Sequence, residues 1–410
     1  MTGFRFIHAA DLHLGSPLSG LALKDRQIAE RFAAAGRDAF TALIDCAIES
    51  AVDFMVIAGD VYDGAWRDNS VGLFFNREIA RLSRAEIPVY FLRGNHDAES
   101  IVTRTIAMPE GVHEFSTRQP ETFTIEPLKV ALHGQGFADR VAGDNLALAY
   151  PPAVPGHFNI GVLHTSLSGR PPHAVYAPCT PADLASRGYD YWALGHVHAF
   201  EEVSADPLTL YPGNLQGRNI RETGDKGAVL VTVEDGRPRY ERIILDRARF
   251  EAVTVAIAPD MKESDILQAV ETALAALAEA ANARPVALRL ALEGRHGDAH
   301  RMIAAHGEWH DDLQAACQRV HADLWLEKLV IALEAPMTSR RLLSDSDLDI
   351  EAMIEALAGD DAIDAEIGAL INEIAVKLPG GVGARDEAFS GSHADLLAEA
   401  RAILSARLEG

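Results

Sequence analysis

Cysteine is scarce in this chain: three in 410 residues, Cys46, Cys179 and Cys317, with no CxxC spacing. A disulfide framework is therefore not expected, and a reducing compartment is. Long apolar runs are missing as well. No stretch approaches the roughly 18 residues that a membrane helix requires, so no membrane partner is expected. The N-terminal MTGFRFIHAADLH enters a strand pattern at once, without the charged and apolar regions of a secretory signal. A cytoplasmic location is the expectation. Basic residues are in deficit, with 37 Lys and Arg against 60 Asp and Glu and a formal net charge of −23. Taken whole, that balance argues against a nucleic-acid binder. The deficit is uneven, however: residues 1–250 carry −7 and residues 251–410 carry −16. The stretch from Arg218 to Arg249 is locally rich in arginine, and could either attract phosphate or form solvated strand-edge charge.

What is present is an alternation of strand-like and helix-like patterns, which points to α/β layering. Strands are expected at Phe4–His8, Phe54–Ala58, Val89–Leu92, Asn159–Leu163 and Tyr191–Leu194, and an antiparallel pair at Thr122–Ile125 and Lys129–His133. Helices are expected at Asp25–Ser50 and Val71–Leu82, with a helical turn at Pro181–Arg187. Leu208–Tyr211, Gly227–Glu234 and Arg239–Leu245 read as edge strands, the last two a hairpin around Asp235-Gly236. From about Phe250 a strand–helix–strand–helix–strand unit follows, with its first helix at Glu263–Ala281 and Ser264 as an early cap. Beyond Pro336 the pattern is acidic and helical (Asp347–Leu357, Ala362–Lys377, His393–Leu408), interrupted by a linker at Leu378–Ser392. The expected domains are 1–249, 250–335 (small, α/β) and 336–410.

Five short segments carry chemistry: Asp11 and His13 in AADLHLG, Asp60 in AGDVYDG, Asn95, His96 and Asp97 in GNHD, a lone His164, and His196 and His198 in GHVH. Each follows a short apolar run, so their side chains should gather at one edge of a sheet. Asp11 and His13, two apart at a strand end, share a face and form a chelating bite. Asp60 follows a glycine that permits a tight turn and suits a carboxylate bridging two ions. Asn95 offers a neutral oxygen, and His164, His196 and His198 offer imidazoles. Mixed nitrogen and oxygen donors without thiolate favour manganese, iron or zinc. Two such ions can activate water and clamp phosphate oxygens. His96 is the candidate for a reactive imidazole that could protonate the leaving oxygen or stabilise charge.

The set DLH, GDVYD, GNHD, H and GHVH resembles the calcineurin-like metallophosphoesterases. The resemblance implies a four-layer sandwich of mixed sheets flanked by helices, with a small α/β capping domain and C-terminal helices. It implies one metal on Asp11, His13, Asp60 and His198, and a second on Asp60, Asn95, His164 and His196. His96 takes the place of the family's catalytic histidine and Asp97 that of the carboxylate orienting it. HAADLHLGSPLSGL, FLRGNHD, YWALGHVH and YPGNLQGRN look like the bacterial DNA-repair exonuclease branch, SbcD-like and YhaO-like, over roughly residues 1–250. That branch implies manganese, DNA as substrate and an SMC-like ATPase as partner of the C-terminal helices; a homodimer is left open. One departure is Tyr62-Asp63-Gly64 and Ala65-Trp66-Arg67, where the branch commonly has Phe-Asp followed by Pro.

Other residues have weaker claims. Asp63 could hydrogen-bond a ligand or cap a helix. Asn214 and Arg218 follow the last motif closely and could face substrate. Trp66, Arg67 and Asn69 could touch nucleic acid or form a plain loop, and His8 and His133 read as satisfied core histidines. His296, His300, His306 and His310 read as solvated surface. The leading expectation is a DNA phosphodiesterase, an exonuclease or endonuclease. The alternatives are a small-molecule phosphodiesterase or phosphatase, and a metal-binding scaffold for the ATPase.

Overall fold

Alternation along the first strands sets up the layers. In the computed structural model, strand β1 (Phe4–Ala9) leads into helix α1 (Arg26–Glu49), strand β2 (Phe54–Ile57), helix α2 (Asn69–Arg84) and strand β3 (Val89–Phe91). The structure describes residues 3–16, 26–63, 69–99, 108–139, 143–167, 176–334, 369–370 and 373. Phe6, Phe54, Val56 and Tyr90 point to one side of these strands and Ile7, Met55, Ile57 and Phe91 to the other. Both sides are apolar because both are covered, as parallel strands with helical crossovers require. Phe40, Leu43 and Ala47 of α1 and Val71, Phe75 and Ile79 of α2 cover one side.

A short helix α3 (Asn95–Glu99) and strand β4 (Val112–Glu114) follow, then β5 (Glu121–Ile125), β6 (Val130–Gly134), β7 (Phe158–His164), helix α4 (Pro181–Ala185) and β8 (Tyr191–Gly195). Strands β9 (Glu201–Ala205), β10 (Leu208–Tyr211), β11 (Gly227–Glu234) and β12 (Arg237–Ile244) complete this part. They build two six-stranded mixed sheets, ordered β12-β11-β1-β2-β3-β4 and β5-β6-β7-β8-β10-β9. The sheets meet through Phe6, Phe54 and Val56 on one side and Leu132, Ile160, Tyr191 and Leu210 on the other. Phe6 and Phe54 stack at 4.9 Å, and Tyr191 meets Phe6 edge-on at 5.3 Å. Trp192 and Leu194 face the outer layer, where Leu184 of α4 and Tyr150 cover them. The architecture is thus the four-layer α/β sandwich, with two mixed sheets inside.

β10 and β11 are not edge strands. β10 lies between β8 and β9, and β11 between β1 and β12. The sequence conceals this because β9 (EEVSA) has a polar, half-exposed pattern and offers no apolar signal for the neighbour that covers β10. β4 has only three residues, too few for periodicity, and the helix α3 hides inside the GNHD motif.

By their internal contacts the residues fall into two compact units; the second takes the chain from Phe250 on, together with Ser19–Ile28 and Asn219–Arg221. The second contains β13 (Arg249–Ile257), α5 (Glu263–Ala281), β14 (Val286–Arg295), α6 (Ala299–Ala304), α7 (His306–Val320) and β15 (Leu324–Glu334). Its sheet runs β13-β14-β15, and Leu288, Leu290 and Leu326 pack against Val270 and Leu274 of α5 and Leu313 and Cys317 of α7. Ser264 does not cap α5. The helix starts at Glu263 as expected, but the residue ahead of it is Lys262, whose backbone N–H donates to the Asp265 carboxylate at 3.0 Å. Nor are His296 and His306 solvated: Nε2 of His296 bonds the Met261 carbonyl at 2.8 Å and Nε2 of His306 the Leu329 carbonyl at 3.1 Å. His296 thereby ties two loops together, and His306 ties the start of α7 to β15. Apart from residues 369, 370 and 373, which are helical, the expected C-terminal helices and linker, and Trp66 and Arg67, lie outside the described residues.

Candidate metal centre

β1, β2 and β3 run parallel in register, as do β7 and β8. Their C-terminal ends therefore point the same way, and the five motifs are what leaves those ends. Asp11, His13 and Asp60 all have left-handed backbone, with φ of 52°, 43° and 53°, and His196 has φ 102°. Non-glycine residues rarely adopt such angles, and where they do they concentrate at functional sites. Here the turns swing successive side chains off the strand axes into one volume. Two glycines make room for them. A Cβ on Gly59 would stand 2.5 Å from Nδ1 of His164, and one on Gly94 would collide with the Asp60 carboxylate.

The gathered donors are buried and face one another. Asp11, Asp60 and His164 are each at most 1 % exposed. Nε2 of His13 is 3.2 Å from Nε2 of His198, 3.8 Å from Oδ2 of Asp60 and 4.0 Å from Oδ1 of Asp11. Nε2 of His164 is 3.1 Å from Oδ1 of Asn95 and 3.4 Å from Oδ2 of Asp60. The His196 ring lies edge-on to His164 at 5.2 Å. Three overlapping groups have donor atoms within 4.8 Å of one another: Asp11, His13 and His198; Asp11, Asp60 and His164; and His13, Asp60 and His96.

Hydrogen bonds behind these donors hold their aim. Nδ1 of His164 donates to the Ala58 carbonyl at 2.9 Å, which leaves Nε2 with a lone pair for the centre. The backbone N–H of His196 donates to both Asp11 oxygens at 3.1 and 2.9 Å, and that of His96 to Oδ1 of Asp60 at 2.9 Å. Burial pushes the Asp11 carboxyl up, and the nearby Asp60 charge pushes it further. Burial works against ionised Asp60 too, but His164 overrides it and holds that carboxyl far below the usual range. Burial likewise opposes charge on His164, yet Asp60 raises the imidazole to about 9. Burial and the Arg218 charge push His13 well down. Two carboxylates and several imidazoles compressed in this way fit a divalent cation, whose charge favours each of their metal-binding forms.

Asp97 does not orient His96. Its carboxylate accepts the backbone N–H groups of Val61, Tyr62 and Gly94 at 3.1, 2.9 and 3.1 Å. It thereby pins the loop after β2 to the loop after β3. Burial, with the Asp60 charge, pushes its pKa up to about 7. The carboxylate that meets His96 is Asp63, with Oδ1 3.1 Å from Nδ1. Burial opposes charge on both, but the pair draws Asp63 down and His96 up. The physical reason is reach: Asp97 sits in the first turn of α3, facing inward, whereas Asp63 comes from the neighbouring loop.

Asn214 does not face substrate either. It is fully buried, and its Nδ2 donates to the Gln216 carbonyl at 2.9 Å and to Oε2 of Glu222 at 2.8 Å. Arg218 lies 81 % covered beside the centre, with Nη1 3.9 Å from Oδ1 of Asp63. Next to it a cleft of about 510 Å³ is lined by His13, Ser16, Arg37, Gln216 and Arg218 among others. Sequence reasoning missed Glu222 altogether; its only signal was a lone acid in the basic GRNIRETGDKG stretch.

Residues 4–200 match the family described as calcineurin-like phosphoesterase, and residues 250–334 the middle domain of metallophosphoesterase YhaO. The chain is 38 % identical over 298 residues to a protein of Bacillus subtilis named uncharacterized metallophosphoesterase YhaO, covering 72 % of each. It is 26 % identical to DNA double-strand break repair protein Mre11 of Methanopyrus kandleri, covering 54 % of this chain and 51 % of that one. It is also 26 % identical to the Mre11 of Sulfurisphaera tokodaii, over 62 % of this chain and 66 % of that one. The chain spans about half to two thirds of the Mre11 relatives it matches. With its buried donors gathered at parallel strand ends, the chain belongs to the calcineurin-like metallophosphoesterases, a hydrolase family with a divalent-metal site, and within it to the YhaO-like family.

Proposed function

We propose that this protein is a two-metal phosphodiesterase that hydrolyses DNA. The observation that carries the reading is the convergence of Asp11, His13, Asp60, Asn95, His164 and His198 on one buried volume, with His96 at its half-exposed rim. On this reading Asp11, His13, Asp60 and His198 hold one ion, and Asp60, Asn95, His164 and His196 the other. Such ions, manganese by the resemblance to the repair-exonuclease branch, with iron and zinc equally suited to the donor set, would supply an activated water and positive charge against phosphate oxygens when bound. The chain's own residues do the rest. Asp63 accepts from Nδ1 of His96 and so turns Nε2 outward, holding a proton there for the leaving oxygen. Arg218 adds fixed positive charge near the site of the phosphoryl oxygens.

DNA as the substrate is supported by the Mre11 relatives, named for double-strand break repair. Purified full-length chain with Mn²⁺ should degrade linear DNA and His96→Ala should not. Turnover of bis-p-nitrophenyl phosphate without any DNA cleavage, with or without an ATPase partner, would sink the DNA assignment and leave the phosphodiesterase one. The cleft beside His13 favours a second reading, a small phosphodiester, because about 510 Å³ suits a single nucleotide. A screen of cyclic nucleotides and phosphomonoesters separates the two. A partnership with an SMC-like ATPase belongs to the same proposal: co-purification should survive Asp60→Ala and be lost on truncation after Pro336. No helix among the described residues is long and apolar enough to cross a membrane; a cytoplasmic location is part of the same proposal.

A further inference from the structure

Behind His198, on the side away from the proposed ions, sits a carboxylate with every oxygen engaged. Oε1 of Glu222 is 2.8 Å from Nδ1 of His198 and 2.9 Å from Nη2 of Arg218. Oε2 accepts Nδ2 of Asn214 and the backbone N–H of Arg218, both at 2.8 Å. Nη2 of Arg218 also lies 3.1 Å from Nδ1 of His198, so two proton arrangements must be weighed. Were Nδ1 to accept from Arg218, its lone pair would also face a carboxylate oxygen 2.8 Å away with no proton between them. With the proton on Nδ1, both nitrogens donate to Oε1, and their mutual distance is that of two donors sharing one acceptor. The second arrangement leaves no repulsive contact.

We infer that Glu222 is the positioning residue of His198. It holds the imidazole as the Nδ1–H tautomer and so directs an Nε2 lone pair at the volume shared with His13 and Asp11. Arg218 and Asn214 hold the carboxylate in turn, the arginine balancing its charge so that it does not draw the ion away. The frame extends to the backbone: Nζ of Lys226 donates to the His198 carbonyl at 3.0 Å, and the Asn214 N–H to the same oxygen at 3.3 Å. Thus Arg218, Glu222 and Lys226 all meet His198, and Asn214 is buried beside Glu222 as part of the same frame. Carboxylates that accept from a ligating histidine commonly contribute 10–100-fold in metal affinity.

The inference rests on His198 being a metal ligand, and the test separates the two. Imidazole ¹H–¹⁵N correlation spectra of the full chain, metal-free and Zn²⁺-loaded, should show His198 as the Nδ1–H tautomer. Mn²⁺ calorimetry should show one of two ions bound about 10–100-fold more weakly in Glu222→Leu, with Glu222→Gln in between and the other ion unchanged. An Nε2–H tautomer in the wild type, or wild-type affinity for both ions in a folded Glu222→Leu, would overturn it. Should Glu222→Leu fail to fold by circular dichroism, the wild-type tautomer and Glu222→Gln decide. A wild type that binds no divalent ion overturns the metal assignment instead, while the metal-free tautomer still reports on Glu222.

Discussion

The Asp63 carboxylate meets Nδ1 of His96 at 3.1 Å, from a loop that leaves a different strand. A charge-assisted hydrogen bond of this kind stabilises imidazolium and fixes which nitrogen faces out. Asp63 raises the His96 pKa against the opposing effect of burial, so Asp63→Asn should lower it. If His96 acts as a proton donor, the alkaline limb of kcat/KM on bis-p-nitrophenyl phosphate moves to lower pH in that variant. His96→Ala should cost about 10²–10⁴-fold in kcat. An unmoved alkaline limb in Asp63→Asn would separate the two residues functionally.

Asp97 should behave differently. Three backbone donors depend on its carboxylate, and stranding buried donors costs about 1–3 kcal/mol each. Asp97→Ala is expected to lose about 3 kcal/mol or more in urea unfolding, counting partial rescue by water. Asp63→Asn, on a half-buried loop, should lose much less. Equal losses would show that both carboxylates serve chiefly as scaffold.

Gly94 is where a single methyl should do most harm to the centre, since a Cβ there meets Asp60. Gly94→Ala is expected to abolish hydrolysis and reduce the number of bound ions measured by metal analysis. Gly111, with nothing within 4 Å of an added Cβ but φ of +80°, is a control. Its alanine variant should lose some stability by backbone strain and keep its metal content.

Metal removal should be legible in stability. A cation that binds only the folded chain adds about 2.7 kcal/mol at a hundred times its Kd. Thermal unfolding with EDTA should therefore occur at lower temperature than with excess Mn²⁺. The difference should shrink in Asp60→Ala, which removes the carboxylate shared by two of the three overlapping donor groups.

His8 gives stability an acid limb. Its ring is fully buried, with Nε2–H donating to the Leu194 carbonyl at 3.0 Å and Nδ1 accepting from the Tyr191 hydroxyl at 2.9 Å. Burial holds its pKa down to about 3, the Leu194 bond opposing, against an ordinary 6.5. Between those values the unfolded chain binds the proton and the folded chain does not, so stability falls as pH falls through that window. From pH 6.5 to 5 the expected loss from this residue is about 2 kcal/mol. Urea titrations of the wild type and His8→Gln at the two pH values should differ in slope by that contribution; parallel losses would remove His8 as the cause.

How much was legible follows from which interactions are local. Strands such as Phe54–Ile57 are apolar on every residue because both faces are covered, and that pattern is written in four consecutive letters. The DLH, GD, GNH and GHVH segments are legible for the same reason: each is a strand end plus a turn. β9 and β4 were not, being too polar or too short to carry a period. Asp63, Asp97, Asn214 and Glu222 are all acids or amides close to motifs, and no spacing rule ranks them. Their roles depend on which neighbour lies within 3 Å across chain separations of 24–36 residues for the Glu222–His198, Asp97–Tyr62 and Asp97–Val61 pairs.

The sequence by itself determined the layered α/β alternation, the strand ends from which the donors leave, and a donor set suited to divalent cations. Periodicity and residue chemistry are properties of short windows, so they survive without coordinates. Only the tertiary structure decided that Asp63 rather than Asp97 holds His96, and that Asn214 lies behind His198 beside Glu222. Those assignments are set by side chains from separate loops meeting at hydrogen-bond distance, and the parallel pairing of β2 with β3 and of β8 with β10 is what brings the loops together.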